Sequence, residues 1–349
     1  MSLEAVDVPR VAAPRAWATP AAHYKIALKD PWFKLVLKLL DAFNFATTEF
    51  WRSRGVTAGL LSLTTGSISC PAGLGSDANP VEVTIAGVKT YLTDSQQFAL
   101  EFACRLTPRG AYSVMPSFRG DVNDDRHLAQ FFHSEAELRC RLDEVLATIE
   151  EYLIHLARFF VEHFRGDVQA ITGTTEHLER LALGGLFQRI TFADAAAAVA
   201  DVPGAIVSTG TGRALTRRGE SAVMERLGEF IWVTHHDELA VPFFQASDIG
   251  ADARRIAQNA DLLFGIGEIV GAGERHETAA DVLSALERHQ VSEEVQRSYD
   301  WYVEMRRIAP LKTSGFGLGI ERFLLWLLNH DDIRDVQLFA RENGRAILP

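Results

Sequence analysis

One stretch limits what this chain can fold into more than any other. From near Glu135 to about Phe164, apolar residues recur at helical spacing: Leu142, Leu146, Ile149, Leu153, Leu156 and Phe160. That stripe predicts a long helix with one buried face, and a helix of this kind needs a broad apolar surface such as the back of a sheet. The strand-like runs elsewhere supply that surface. Val81–Ile85 alternates, Ala111–Phe118 leads into a polar loop at Gly120–Asp125, and Phe230–Thr234 and Leu263–Val270 follow. A second helix is expected from Pro31, with Asp30 as N-cap and Pro31 at the first helical position, ending near Arg54–Gly55. Its expected apolar face is Phe33, Val36, Leu37, Leu40, Phe43 and Phe45. Further helices are predicted over 95–105, 278–289 and 293–307, and an alanine-rich one around Asp194–Ala200. Strand clusters alternating with long helices define an α+β fold, an antiparallel sheet flanked by helices. Residues 1–29, with Pro9, Pro14 and Pro20, read as a flexible arm before one domain over 30–349, and 174–220 resist assignment.

Composition narrows the function classes. Hydrophobic residues are 47% and charged residues 23%, enough apolar material for a sizeable core and unlike a disordered or disulfide-scaffold chain. The net charge of −11 does not advertise a polyanion partner. Three cysteines (Cys70, Cys104, Cys140) without metal-like spacing point to a reducing cytoplasm. No apolar run is long enough for a membrane span, and the N-terminus lacks a signal pattern.

Two segments carry chemistry. In Ser117–Glu137 a strand, a polar loop and a returning strand form a hairpin. Alternation puts Arg119 and Asp121 on one face of the outgoing strand, and Phe131, His133 and Glu135 on one face of the returning strand. A guanidinium neutralises phosphate and a ring stacks on a base, so this combination suits an adenine nucleotide. In Gly315-Phe-Gly-Leu-Gly-Ile-Glu-Arg322, alternate glycines leave one strand face bare for a flat ligand, and Arg322 opens the following apolar helix. The glycine spacing is not that of a dinucleotide fingerprint.

Ser117–Glu137 resembles motif 2, and Gly315–Arg322 resembles motif 3, of the class II aminoacyl-tRNA synthetases. The asparaginyl wording is nearer than the aspartyl: Arg126–Phe131, His133–Glu137, Tyr91–Gln97, Gly267–Arg275 and Asp332–Val336 all resemble it. The likeness runs from about residue 30 to 341 and implies the class II catalytic fold, ATP and Mg²⁺. It implies that Arg119 holds the α-phosphate and substrate carboxylate. By the same likeness Asp121 would contact the adenine end, Phe131 would stack on adenine with Arg322 on the other face, and Gly319 would belong to the same site. His127 would approach the tail phosphates, and Glu268, with Asp261 second, would ligate Mg²⁺. Ser95, Gln97 and Glu135 would meet the substrate ammonium, and Arg275 its side-chain carbonyl or carboxylate. Leu100 stands where the aspartyl branch has lysine, which shifts the expectation towards asparagine or another less anionic side chain.

Departures from the family cluster elsewhere. About thirty residues precede the first core helix, too few for the family's anticodon-reading barrel. Ser62 replaces an expected proline, Pro71 an expected glutamate, and His235-His236-Asp237 a Tyr-Pro, and the motif 2 loop is one residue short. The resulting expectation is an AMP-forming ligase that adenylates an Asp- or Asn-like amino acid and passes it to a non-tRNA acceptor such as ammonia or another amine. The alternatives are a truncated asparaginyl-tRNA synthetase that charges tRNA and a non-catalytic nucleotide- or amino-acid-binding paralogue. The resemblance also implies a homodimer paired across the first helix, a contact that Ser62 weakens.

Overall fold

A computed structural model describes residues 10–69, 74–75, 78–209, 212–250 and 253–348. Its centre is an eight-stranded sheet. In chain order the strands are β1 (Thr57–Ala58), β2 (Gly110–Phe118), β3 (Gln130–Leu138) and β4 (Gln188–Thr191), then β5 (Phe230–Thr234), β6 (Asn259–Phe264), β7 (Glu268–Glu274) and β8 (Ser314–Gly319). The spatial order is β1-β2-β3-β8-β7-β6-β5-β4; the two outer pairs, β1 with β2 and β5 with β4, are parallel and all the others antiparallel.

Helices α1 (Pro31–Ser53) and α3 (Leu142–Thr172) cover the back of this sheet, and α5 (Ile320–Leu327) joins them. Asp30 caps α1 by accepting the Trp32 N–H at 2.9 Å. Val36, Leu39, Phe43 and Phe50 of α1 and Leu146, Ile149, Leu153 and Phe160 of α3 pack with Tyr112, Leu262, Val270, Phe316 and Leu318 from the strands. Two of the side chains expected on that face point outward instead: Leu37 and Phe45 are 53% and 59% exposed.

The long helix starts at Leu142, the first residue of its apolar stripe, and not near Glu135 as expected. Residues 130–138 pair with β2, and 133–138 pair with β8 as well, so Glu135–Leu138 belong to a strand. The two ladders outweigh local helical propensity until the chain clears the sheet edge. There the Arg141 N–H donates to Glu144 at 2.8 Å and α3 begins. The expected single strand Leu263–Val270 is two strands, β6 and β7, reversing at Gly265 and Gly267, whose φ values of 71° and 115° suit glycine. The helix expected over 293–307 is broken into Glu293–Gln296, a 3₁₀ turn and Asp300–Ile308.

Two smaller cores stand on the front of the sheet and wall the site. One joins α2 (Gln97–Leu106), through Phe98, to Phe243, Tyr299 and Tyr302. The other lies in the segment that resisted assignment, where Phe192, Ala195 and Val199 pack with Val223 of α4 (Arg217–Leu227) and with Ile231 and Val233 of β5. Residues 10–29 are not a loose arm. They form two 3₁₀ turns and a short helix, the Val11 N–H donates to the Ala170 carbonyl at 2.9 Å, and Arg15 bonds Asp335 at 2.7 Å. Among the described residues no helix is long and apolar enough to cross a membrane.

Candidate active site

Strand register builds the floor of the site. Asp261 of β6 lies beside Gly271 of β7, Gly271 beside Gly317 of β8, and Gly317 beside Glu135 of β3. At about 4.8 Å per strand the backbones of these two acids stand roughly 14 Å apart, with a bare two-glycine floor between them. Alternation on β3 adds Phe131, His133 and Glu137 to the same face. Two adjoining cavities of about 430 and 520 Å³ open on this floor, and both are lined by Arg119, His133, Glu268 and Gly317.

Ser95, Gln97, Leu100, Glu135, Glu137 and Arg275 line the first cavity. Ser95 Oγ donates to Glu135 Oε1, and the Gln96 N–H donates to Glu135 Oε2 at 2.9 Å. Burial pushes the Glu135 carboxyl up to about 7, against these hydrogen bonds. Arg275 is buried, donates to Glu137 at 3.2–3.3 Å and to Gln245 Oε1 at 2.9 Å. Burial also drives the Glu137 carboxyl upward, with Arg275 opposing. A side chain on Gly315 would collide with Glu137, and one on Gly273 with Gln245, so these glycines make room for the Arg275 cluster. Behind it a sealed ion pair joins Arg306 to Glu101 at 2.5 Å, with Tyr302 donating to Glu101 at 2.7 Å and Gln97 Nε2 at 3.3 Å.

The second cavity is lined by Asp121, His127, Phe131, Gly319 and Arg322. The Arg119 guanidinium lies 5.6 Å from the centre of the Phe131 ring. Arg322 donates to the Glu268 carbonyl at 2.8 Å, and its guanidinium is 4.0 Å from the Glu268 carboxylate. His127 is half exposed and bonds Asp124 at 2.7 Å; Asp121 accepts from the Asn79 backbone N–H at 3.2 Å and from its amide. Arg126 Nη2 reaches Glu220 on α4 at 3.3 Å, and its guanidinium fills the space a side chain on Gly267 would need.

The carboxylates of Glu268 and Asp261 lie 3.4 and 3.8 Å from the point where a Gly271 Cβ would stand, so both overhang the same glycine. They are 39% and 32% exposed, and Asp261 also lies 3.3 Å from His236 Nδ1. No group of three acidic, histidine or cysteine ligands forms a closed metal site among the described residues. Two open carboxylates suit Mg²⁺, which keeps waters and takes its remaining ligands from substrate phosphate.

With this geometry in hand, the sequence matches the tRNA synthetases class II (D, K and N) over residues 65–343. The chain belongs to this family. It is 30% identical over 269 residues to a probable cytoplasmic asparagine–tRNA ligase of Encephalitozoon cuniculi, a match covering 74% of this chain and 58% of the relative. It is 27% identical over 313 residues to the asparagine–tRNA ligase of Koribacter versatilis, covering 88% and 68%. The chain thus spans little more than half of the first relative. Its fold matches the asparaginyl-tRNA synthetase of Pyrococcus horikoshii, crystallised with asparaginyl-adenylate, at a TM-score of 0.83 and 23% identity, covering 96% of this chain and 74% of that one.

As a class II synthetase chain, it gathers every site residue expected from the sequence into the two cavities, with Asp261 beside Glu268 in the first. One placement differs. β2 ends at Phe118, so Arg119 and Asp121 stand in the loop, and pleat alternation does not set their direction. Pro71 and its neighbours lie outside the described residues. Gln245, Arg126 and Glu220 were not anticipated. Arg126 and Glu220 are 94 positions apart, and no local pattern links them. Glu137 was within reach, because the alternation that presents Glu135 presents it too.

Proposed function

We propose that this chain activates an asparagine- or aspartate-like amino acid with ATP, releasing pyrophosphate and forming an aminoacyl adenylate. The observation that supports it is the junction of the two cavities. A guanidinium, that of Arg119, is shared between a cavity ending in the Glu135 carboxyl and one walled by Phe131 and Arg322. An ammonium at Glu135 and a base at Phe131 put the substrate carboxylate and the α-phosphate together at Arg119. The carboxylate is already ionised, so no general base is needed; Arg119 offsets the charge that builds as its oxygen attacks phosphorus. Asp261 and Glu268 would hold Mg²⁺, which supplies charge neutralisation for the departing pyrophosphate.

The side-chain end favours a neutral amide. Arg275 is already paired with Glu137, and the neighbouring wall is the buried, apolar Leu100. A carboxylate there lacks a second cation, a preference of about 1–3 kcal/mol. For the acceptor, the relatives' names favour tRNA over ammonia or another amine. Outward Leu37 and Phe45 on α1 favour pairing of two copies, which light scattering checks.

The test is pyrophosphate exchange into ATP by the full chain with Mg²⁺ and asparagine or aspartate, followed by addition of tRNA or an amine. Exchange dependent on one amino acid supports adenylation, and charged tRNA identifies the acceptor. No exchange with any asparagine- or aspartate-like compound refutes the reading.

A further inference from the structure

Four residues line both cavities: Arg119, His133, Glu268 and Gly317. Arg119 and Glu268 have tasks in the proposed reaction, and Gly317 has no side chain. His133 is the one shared side chain left over, and it stands where carboxylate and α-phosphate would meet.

Its ring is fixed on two sides. Phe131 packs against it edge to face at 4.7 Å between centroids, and Nδ1 lies 2.9 Å from Ser117 Oγ. Ser117 is fully buried, and this ring nitrogen is the hydrogen-bond partner its hydroxyl has among the described residues. If Nδ1 carried a proton and donated it, the hydroxyl proton would face no acceptor, an unfavourable arrangement in a buried site. Ser117 therefore donates and Nδ1 accepts. Burial and the nearby Arg119 and Arg322 guanidiniums push the imidazolium pKa down to about 3, so the ring is neutral at working pH. The one remaining ring proton is on Nε2, which has no hydrogen-bond partner among the described residues and is not sealed from the cavity.

We propose that His133 is a catalytic hydrogen-bond donor, its Nε2–H directed at an oxygen of the reacting carboxylate–α-phosphate group. The inference rests on the adenylation reading above. In that step the bond from carboxylate oxygen to α-phosphorus forms, the bond from α-phosphorus to the oxygen bridging the β-phosphate breaks, and pyrophosphate departs with the electron pair. No proton moves, and His133 keeps its own. Charge grows on the phosphoryl oxygens at the transition state, where a directed neutral donor adds stabilisation without the repulsion a third cation would meet between two guanidiniums.

The experiment compares His133→Leu and His133→Gln with wild type in pyrophosphate exchange, using the full chain. Leu removes the donor, and Gln can restore an N–H near the same place. We expect His133→Leu to lower kcat about 100-fold with KM for ATP and amino acid within about threefold, and His133→Gln to recover most of the loss. A leucine variant as fast as wild type, a loss confined to KM, or a glutamine variant as slow as leucine overturns the proposal. Should His133→Leu lack a cooperative melt, Ser117→Ala takes its place: it keeps the ring and frees Nδ1, and an unchanged kcat overturns the proposal. Imidazole ¹⁵N shifts give a separate readout, and a proton found on Nδ1 overturns it too. Wild type inactive with every candidate amino acid refutes the adenylation reading itself, whereas active wild type beside an unaffected leucine variant refutes the His133 role alone.

Discussion

Glu135 ties substrate affinity to pH. Its carboxyl is buried and titrates near 7, with no cation among its hydrogen-bond partners. An ammonium placed against it needs the ionised form, so binding the amino acid expels a proton from any molecule still protonated. Affinity therefore falls as pH drops through about 7 and is flat above it. One pH unit below, about a tenth of the free enzyme is ionised, and KM for the amino acid rises about tenfold between pH 8 and pH 6. Glu135→Gln keeps an acceptor but loses the charge. A hydrogen bond to a charged group is worth about 1.5–3 kcal/mol, so KM at pH 8 rises roughly 10- to 100-fold. The variant's KM no longer changes with pH, and its gap from wild type narrows about tenfold at pH 6. Pyrophosphate exchange at saturating ATP from pH 6 to 8 reads all three quantities. A flat wild-type profile refutes the reasoning, and so does the same slope in Glu135→Gln, which points instead to the neighbouring Glu137 as the titrating group.

Glu321 makes a matching prediction for stability. This buried carboxyl accepts from the Phe132 N–H at 3.0 Å and from Gln337 at 2.6 Å, and burial raises it from 4.5 to about 7. The folded protein holds this proton where the unfolded chain has lost it, so stability falls as pH rises from about 4.5 and the full cost is present above about 7. In urea unfolding, Glu321→Gln should gain about 2 kcal/mol on wild type between pH 5 and pH 8, and a pH-independent difference contradicts this. Two glycines on β8 should separate function from folding. A Gly317 methyl meets Glu135 at 3.6 Å, ordinary contact, so Gly317→Ala should unfold within about 0.5 kcal/mol of wild type yet weaken ATP and amino-acid binding; Gly315→Ala runs into Glu137 and the Ala136 carbonyl and should lose about 1–3 kcal/mol. Glu268→Gln should raise the Mg²⁺ needed for half-maximal exchange at least about tenfold, and an unchanged Mg²⁺ dependence removes Glu268 from the metal site.

Legibility followed the range of the signal. Helix α1, strands β2 and β3 and the β8–α5 turn announce themselves through caps, alternation and glycine spacing, all local. The start of α3 did not, because residues 135–138 fit a helix by periodicity and a strand by their partners, and the partners are far along the chain. The small core of Phe192, Val199, Val223 and Ile231 was illegible for the same reason: each piece is too short to show a period. Within the site, the nucleotide side chains came from motif likeness. His133 could be placed on the correct face but had no reason to be singled out until the two cavities showed that it borders both.

The charges explain why so many buried ionisable groups are tolerated in one place. Arg119 and Arg322 line the cavity proposed for the nucleotide and Glu135 the one proposed for the amino acid, and burying such groups has a cost. A nucleotide carries anions and an amino acid a cation, so the proposed substrates complement the charges of these side chains. Where the chain has no such complement to expect, it makes its own: Glu101 is sealed against Arg306, and Arg275 against Glu137. These buried ion pairs therefore lie at the side-chain end, where the proposed neutral amide would be received, and the arginines of the second cavity lie where the proposed nucleotide would bring phosphate charge. That division is set by position on the sheet. The glycine floor of β7 and β8 keeps side chains of the chain itself from settling between Glu135 and Asp261.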